Sequence, residues 1–274
     1  MYVLLFVLWV LAAAVTFGFL DAANTSLSTR VVRGLAFRIE HFHDAKPVLK
    51  EFMQVLKAFN STLPDVMELS VKGIHWRAQV EDVGSKLNVN QLKEEELRFL
   101  LRQCGVDNRV REDALVDAFL DWRDEDDFRR LNGAEKEYYL ELAHPYEPRN
   151  GNILDDRELL LIKGMDVRLF ACLKRVISVY GTGKVNINSV DRDTLEIMGF
   201  SEREAEFLAE RREKEPIRSF QELEELVPGV GAFELKEHFA FRPSGILRVR
   251  LFTEGKLVSS FVVDVEHSKI IRYE

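Results

Sequence analysis

The apolar and polar positions of this chain form a pattern that changes three times along its length. Residues 1–20 carry no charged side chain, and apolar residues then recur at helical spacing as far as residue 59. Two short stretches within residues 69–80 alternate between apolar and polar positions, residues 91–240 return to helical spacing, and the last thirty residues alternate again. Alternation is typical of half-buried strands, and a spacing of three to four is typical of amphipathic helices. The pattern predicts an α+β fold in which strands before and after a block of helices join in one sheet.

The uncharged first segment has the length of a membrane-spanning helix. A helix of twenty residues is about 30 Å long, which matches the hydrocarbon core of a bilayer. No Lys or Arg precedes the run, as it would in a cleavable signal peptide, although Ala12–Ala14 could serve as a cleavage region. We therefore expect a retained membrane helix rather than a removed signal or a buried core helix.

A proline and alternating apolar residues predict the helix break and the strands that follow the first segment. Pro47 is expected to interrupt the helix and open a second segment, because its missing N–H is harmless in a first helical turn. Strands are expected at Leu69–Val71, at Ile74–Val80 and in the last thirty residues, where Glu254–Gly255 forms a turn.

A short motif occurs twice in the helical block. Lys86–Asn90 (KLNVN) and Lys184–Asn188 (KVNIN) each precede a helix that is expected to end at a glycine, Gly105 or Gly199. A glycine there permits a positive φ between two helices. The pattern predicts paired helix-hairpin-helix units, with a further hairpin at Pro228–Gly231.

The composition narrows the functional classes. The chain has 274 residues, a formal net charge of −8 and two cysteines. An acidic chain is not expected to attract nucleic acid through its phosphates. Cys104 and Cys172 exclude a disulfide-rich scaffold, and their spacing suits no zinc site. Their apolar surroundings favour two small core residues, and one disulfide between them remains open.

The densest group of charges lies between residues 111 and 127, where there are eight acidic residues and two basic ones. Carboxylates this close repel one another unless a cation or solvent compensates, and hard oxygen donors on a loop suit Ca²⁺. The spacing from Asp124 to Glu135 equals that of an EF-hand loop, but Phe128 and Arg129 stand where a ligand and a glycine are needed. An EF-hand is excluded, and a solvated acidic helix end remains the competing interpretation.

Helix-hairpin-helix units can present backbone N–H groups to DNA phosphates. Residues 184–242, however, contain 14 acidic and 9 basic residues, a local net charge of −5 that would repel phosphate. A structural use of the hairpins is therefore favoured, and a membrane-anchored DNA receptor of the competence type is the alternative function. A metal-dependent hydrolase is a third option, but nothing pairs the carboxylates with a nucleophile or a cleft.

Several segments together resemble the minor pseudopilin K family of bacterial type II secretion systems. They are LLFVLWVLA, EDVGSKLNVN, LVDAFLDWRDEDDFRRLNGAEKEYY, PYEPRNG, ELLLIKGM, VYGTGKVNINS and RSFQELEEL. The resemblance extends over nearly the whole chain, and its most specific part is the block 121–139 followed by residues 145–151.

The resemblance implies a pilin-like N-terminal helix and antiparallel sheet with a large inserted α-helical domain that contains helix-hairpin-helix-like repeats. The expected boundaries are 1–21 for the transmembrane part of the helix, 22–90 for the pilin-like helix and first strands, 91–241 for the inserted α-domain and 242–274 for the C-terminal strands. Family members bind calcium in the α-domain, so the expected Ca²⁺ ligands lie in the acidic block: Asp121, Asp124, Asp126, Asp127 and Glu135.

The resemblance also implies a non-enzymatic, single-pass subunit of the bacterial inner membrane with its soluble part in the periplasm. Such a subunit sits at the tip of the type II secretion pseudopilus with minor pseudopilins I and J and supports protein export across the outer membrane. Secreted substrate and the outer-membrane secretin are further possible partners, and nucleic acid is not expected.

Leu5 is the residue that the resemblance connects with assembly. Most pilin-like subunits carry Glu at the fifth mature position, where it can neutralise a neighbour's N-terminal amine. If Met1 is the first mature residue, Leu5 fits a subunit with no other subunit above it. Family precursors carry a short basic leader that the prepilin peptidase removes, and processing of this chain is expected from the resemblance only.

Overall fold

The computed structural model describes residues 31–59, 63–230 and 235–274. The helices are α1 (residues 31–56 of the described part), α2 (Glu94–Gln103), α3 (Arg109–Arg123), α4 (Lys136–Leu140), α5 (Val167–Val176), α6 (Arg192–Ile197), α7 (Glu202–Lys214) and α8 (Phe220–Leu226), with 3₁₀ turns at Asp156–Leu161 and Lys236–His238. The strands are β1 (Val66–Val71), β2 (Ile74–Glu81), β3 (Leu87–Asn88), β4 (Ile177–Ser178), β5 (Val185–Asn186), β6 (Phe239–Ala240), β7 (Ile246–Thr253), β8 (Lys256–Asp264) and β9 (Lys269–Tyr273).

The predicted transmembrane segment 1–21 and the assembly residue Leu5 lie outside the described residues. Among the residues that are described, no helix combines the length and the apolar character needed to cross a bilayer.

Five of the described strands form one antiparallel sheet in the order β1-β2-β7-β8-β9. Strand β2 pairs with β7 over Arg77–Glu81, although the whole of residues 82–245 separates the two strands in sequence. We call residues 82–245 the helical region. The expectation that strands before and after the helices share a sheet is therefore confirmed.

Helix α1 covers one face of this sheet. The face buries the alternating positions of β2 and β7, such as Trp76, Ala78 and Val249, because side chains of a strand point alternately to its two faces. These side chains pack against the buried positions of α1, which begin at Ala45 and recur as Val48, Leu49, Phe52, Met53 and Leu56.

The predicted interruption at Pro47 is wrong, because α1 continues through it without a break. Pro47 lies on the exposed side of the helix, two residues after Ala45, the first fully buried position. An interior proline costs a helix about 3 kcal/mol. Burial of large apolar side chains such as Phe52 yields about 1.5–3 kcal/mol each, so the packing of the following turns on the sheet outweighs that cost.

The helical region stands at one end of the sheet. The C-terminal end of α1 reaches this end, where Leu56 and Phe59 line a cavity of about 210 Å³ together with Pro243, Gly245 and Val265. The other end of the described helix lies beside the β7–β8 turn, where Arg38 Nε donates to the carbonyl of Val258 at 3.2 Å. Helix α1 therefore enters from the end of the sheet that is remote from the helical region.

The helical region has its own hydrophobic core, which is distinct from the core between α1 and the sheet. The predicted glycine turns lie within it: Gly105 has φ +84° and Gly199 has φ +108°. After each glycine a backbone N–H bonds back to the preceding helix, from Val106 to Leu101 and from Phe200 to Leu195.

The last asparagine of each copy of the KxNxN motif makes the same pair of hydrogen bonds. Asn90 Nδ2 donates to the carbonyl of Ile153 at 3.0 Å, and the N–H of Ile153 donates to Asn90 Oδ1 at 2.8 Å. Asn188 repeats this pair with Ile217, at 2.7 and 2.8 Å. Strand β3 pairs in parallel with β4, and β5 pairs in parallel with β6. The repeat in the sequence thus corresponds to a repeated arrangement in space.

The copies differ mainly in the segment between their second helix, α3 or α7, and the isoleucine that the asparagine binds, Ile153 or Ile217. In the second copy α7 ends at Lys214 and Ile217 follows after two residues, whereas in the first copy residues 124–152 lie between α3 and Ile153. The acidic block therefore occupies an addition to one copy of the repeat.

Cys104 and Cys172 are joined by a disulfide. Cys104 directly follows α2 and Cys172 lies in α5, so the bond connects two helices of the first copy across 68 positions of sequence. Both residues are only partly buried. The interpretation of the cysteines as two small core residues is wrong, and the open alternative of one disulfide is confirmed.

Candidate metal centre

The acidic block folds into a loop that connects α3 to α4. Asp121 lies in the last turn of α3, Asp124 directly follows that helix, and Glu135 directly precedes α4. The loop of residues 125–134 therefore begins and ends next to these carboxylates.

Asp121 is fully buried and organises the loop. Its carboxylate accepts hydrogen bonds from the backbone N–H of Arg130 and from the N–H of Ala134 at 2.9 Å. Burial raises the pKa of Asp121, although these hydrogen bonds favour its charged form. Gly133 is required at its position, because a Cβ there would lie 1.9 Å from Asp121 Oδ2.

Arg130 joins two of the carboxylates. Its Nη1 lies 2.8 Å from Asp121 Oδ1 and 2.5 Å from Asp124 Oδ2. A charge-assisted hydrogen bond is about twice as strong as a neutral one, so this guanidinium compensates part of the negative charge of the loop.

Glu135 is buried without compensation. The residue is 4% exposed, and neither carboxylate oxygen has a hydrogen-bond partner among the described residues. The pKa of Glu135 is raised to about 7, mainly by burial and to a smaller extent by repulsion from Asp121, Asp124, Asp127 and Asp126. A buried carboxylate of this kind needs either a proton or a cation.

Asp126 and Asp127 lie on the exposed rim of the loop. Asp126 Oδ1 accepts from the N–H of Phe128 at 2.8 Å, and Asp127 Oδ1 accepts from Asn150 Nδ2 at 2.8 Å. The structure therefore brings Asp121, Asp124 and Glu135 to the interior of the block and leaves the other two predicted residues at its edge.

Asn150 is a participant that the sequence did not single out. Its Nδ2 holds the loop through Asp127 and the carbonyl of Asp126, while its Oδ1 is buried without a partner among the described residues. Asp124 Oδ1 is likewise buried and unpartnered. The segment PYEPRNG was noted for its resemblance only, and nothing in its local pattern indicates that residue 150 folds back onto the acidic block.

A packed aromatic group fixes the helices behind the loop. Trp122 and Tyr139 meet edge to face with ring centroids 5.2 Å apart, and Tyr146 lies 5.3 Å from Tyr139. Lys163 closes the other side, with its Nζ donating to the carbonyls of Asn132 and Gly133. The geometry of the acidic loop is thus set by surrounding contacts.

Within the described part of the chain, no three His, Cys, Asp or Glu side chains form a group that could hold a metal ion by themselves. The five residues expected as ligands therefore do not form a complete cage. What does fit a hard cation is the chemistry of the orphaned oxygens, two on Glu135, one on Asp124 and one on Asn150.

The family model and the relatives that this chain matches carry the same description. A family model described as type II secretion system protein K matches residues 77–182, which include the second part of β2, the first copy of the repeat and the acidic block. The type II secretion system protein K of Dickeya chrysanthemi is 34% identical over 91 residues, 33% of this chain and 24% of that protein.

Two further relatives have the same description. The protein of Aeromonas hydrophila is 35% identical over 96 residues, 34% of this chain and 29% of that protein. The protein of Pectobacterium carotovorum is 25% identical over 137 residues, 44% of this chain and 42% of that protein. The matched segments therefore span between 24% and 42% of the length of these relatives.

The fold is also similar to that of a known structure. A chain in the crystal structure of the GspK–GspI–GspJ complex of enterotoxigenic Escherichia coli aligns with a TM-score of 0.64 and 16% identity, covering 90% of this chain and 98% of that chain. The structure agrees with the chain's sequence matches in fold, and the resemblance to type II secretion system protein K is confirmed over the matched residues 77–182.

Proposed function

We propose that this chain is a non-enzymatic minor pseudopilin that sits at the tip of the type II secretion pseudopilus and supports protein export across the outer membrane. In this proposal residues 91–241 are an inserted α-domain with helix-hairpin-helix-like repeats, and residues 22–90 and 242–274 form the pilin-like body. The first 21 residues anchor the chain in the bacterial inner membrane, and the body lies in the periplasm.

The observation that carries this proposal is the position of the helical region relative to α1. The predicted membrane segment precedes α1, and the described start of that helix lies at the β7–β8 end of the sheet. The helical region lies at the opposite end, between β2 and β7. A subunit built in this way points its helical region away from the membrane, where its bulk would prevent another subunit from stacking above it.

The partners follow from the same proposal. The similar structure is a complex of GspK with GspI and GspJ, and we propose pseudopilins I and J of this chain's own system as its partners. Contact with secreted substrate or with the outer-membrane secretin would involve the exposed surface of the helical region. Nucleic acid is not among the proposed partners, because residues 184–242 have a net charge of −5.

We also propose that the acidic block binds Ca²⁺ with a structural role. Asp124, Glu135 and the amide oxygen of Asn150 would hold the ion, and Asp121, Asp126 and Asp127 would add negative charge around it. When bound, the ion supplies the positive charge that the buried Glu135 lacks. Support comes from the unpartnered oxygens, since a buried charge without a partner is costly.

Complex formation tests the proposal. The full chain, purified in detergent with calcium present, is mixed with pseudopilins I and J of the same system and examined by size-exclusion chromatography with light scattering. We expect a stable complex that contains all three proteins. Separate elution of this chain in the presence of calcium would contradict the tip assignment, and salt-sensitive binding to DNA in a parallel titration would instead favour the competence-type receptor.

A further inference from the structure

Arg130 pairs with carboxylates that a bound cation would also attract. In the described residues, the only ion pairs formed by Asp121 and Asp124 are those with the Nη1 of Arg130, at 2.8 and 2.5 Å. Its backbone N–H also donates to Asp121, so the residue is held from both its main chain and its side chain.

One guanidinium does not neutralise the whole block. Arg130 pairs with two carboxylates and leaves Asp124 Oδ1 and both oxygens of Glu135 buried without partners. The loop therefore contains an internal cation that stabilises part of the site and an uncompensated part that attracts a second cation.

We propose that Arg130 is a built-in counter-ion that sets the calcium affinity of the acidic loop. This inference rests on the proposed binding of calcium to the same loop. Without calcium, the guanidinium screens the repulsion between Asp121 and Asp124 and keeps the loop folded. When calcium binds, the same positive charge opposes the ion and shares its ligand Asp124, so the affinity is lower than the carboxylates alone would give.

The chain supplies a matched control at the preceding position. Arg129 has the same charge and lies on the same loop, but it is exposed, and its side chain has no hydrogen bond or ion pair among the described residues. A charge effect that depends on the geometry of Arg130 must be absent or much weaker at Arg129, because solvent and salt screen an exposed charge.

The experiment compares Arg130→Gln and Arg129→Gln in the full chain in detergent. Calcium chloride is titrated into each protein by calorimetry after removal of metal, and the melting temperature is measured in chelator. We expect Arg130→Gln to bind calcium roughly tenfold more tightly or better and to melt at a lower temperature in chelator. Arg129→Gln is expected to change the affinity less than about twofold and to leave the melting temperature in place.

A third variant, Arg130→Lys, separates charge from shape. It retains the positive charge, so its calcium affinity is expected to stay within about threefold of the wild type, even though an ammonium lacks the planar fork of the guanidinium. Should Arg130→Gln be unable to fold in chelator, calcium is added to the unfolded variant. Refolding at calcium concentrations below the wild-type dissociation constant supports the proposal. If millimolar calcium does not refold the variant, the proposal is contradicted.

The outcomes distinguish this inference from the proposed function. Calcium binding by the wild type with equal or weaker binding by Arg130→Gln overturns the role of Arg130 and leaves the calcium site standing. Absence of calcium binding in the wild type and in all three variants overturns the calcium site itself.

Discussion

Replacement of Glu135 by glutamine is expected to stabilise the protein in chelator and to abolish its response to calcium. The substitution retains the size of the side chain and removes its negative charge. Most substitutions at a buried polar position destabilise a protein, so a gain in stability is a specific sign of an uncompensated charge.

The magnitude follows from the raised pKa of Glu135. A shift from 4.5 to about 7 corresponds to about 3 kcal/mol of unfavourable free energy for the charged form well above pH 7. The glutamine amide remains buried without partners, which offsets roughly 1–2 kcal/mol of that gain. The net stabilisation is then about 1–2 kcal/mol, or a rise in melting temperature of roughly 2–8 °C for a protein of this size.

The assay is thermal unfolding of the full chain at pH 8, in chelator and in saturating calcium. For the wild type, calcium binding to the folded form is expected to raise the melting temperature. For Glu135→Gln the two curves are expected to coincide, with the chelator curve above that of the wild type. Glu137→Gln is the control, since Glu137 is exposed on the first turn of α4 and should respond to calcium as the wild type does.

Two results would refute this reasoning. A destabilised Glu135→Gln protein in chelator would show that the carboxylate is already compensated. A full calcium response in the same variant would remove Glu135 from the ion site.

Three further predictions concern the same region. The calcium-induced rise in melting temperature should be small at pH 5.5 and larger at pH 8. Glu135, with its pKa raised from 4.5 to about 7, destabilises the calcium-free protein increasingly as pH rises from about 4.5 to 7 and fully above 7, and below 7 calcium must also displace its proton. A rise that does not depend on pH would contradict this. Gly133→Ala should lower the stability by about 2–3 kcal/mol in denaturant unfolding, since its Cβ would collide with the fixed Asp121 carboxylate. Gly151→Ala should have little effect, because its Cβ would make only an ordinary van der Waals contact, 3.9 Å from the carbonyl oxygen of Arg149. Replacement of Cys104 and Cys172 by serine should lower the stability by about 4 kcal/mol, the chain-entropy value for a closed loop of 68 positions, and an unchanged unfolding midpoint would contradict a structural role of the bond.

The strands could be predicted because each buries one face. Alternation in β2 and β7 indicates the side that packs on α1, and the strands predicted in the last thirty residues are confirmed. The behaviour of Pro47 could not be predicted, because a local rule for proline does not include the free energy that the following turns gain by packing on a distant sheet.

The candidate site was predictable in composition and less so in geometry. The density of carboxylates indicated the acidic block, but burial separates Asp121 and Glu135 from the exposed Asp126 and Asp127, and burial depends on the tertiary fold. Asn150 lies on a different loop, more than twenty residues along the chain from Asp127, so no local sequence pattern could predict their hydrogen bond. The disulfide remained open for the same reason, since its two residues meet only when α2 and α5 pack together.

The central claim is that the helical region ends the filament on the side remote from the membrane. It is tested most directly by electron microscopy of isolated pseudopili assembled with this chain, with gold-labelled antibodies against the helical region. We predict label at one end of each filament only. Label at intervals along the filament would contradict the account, because it would show that other subunits stack above the helical region.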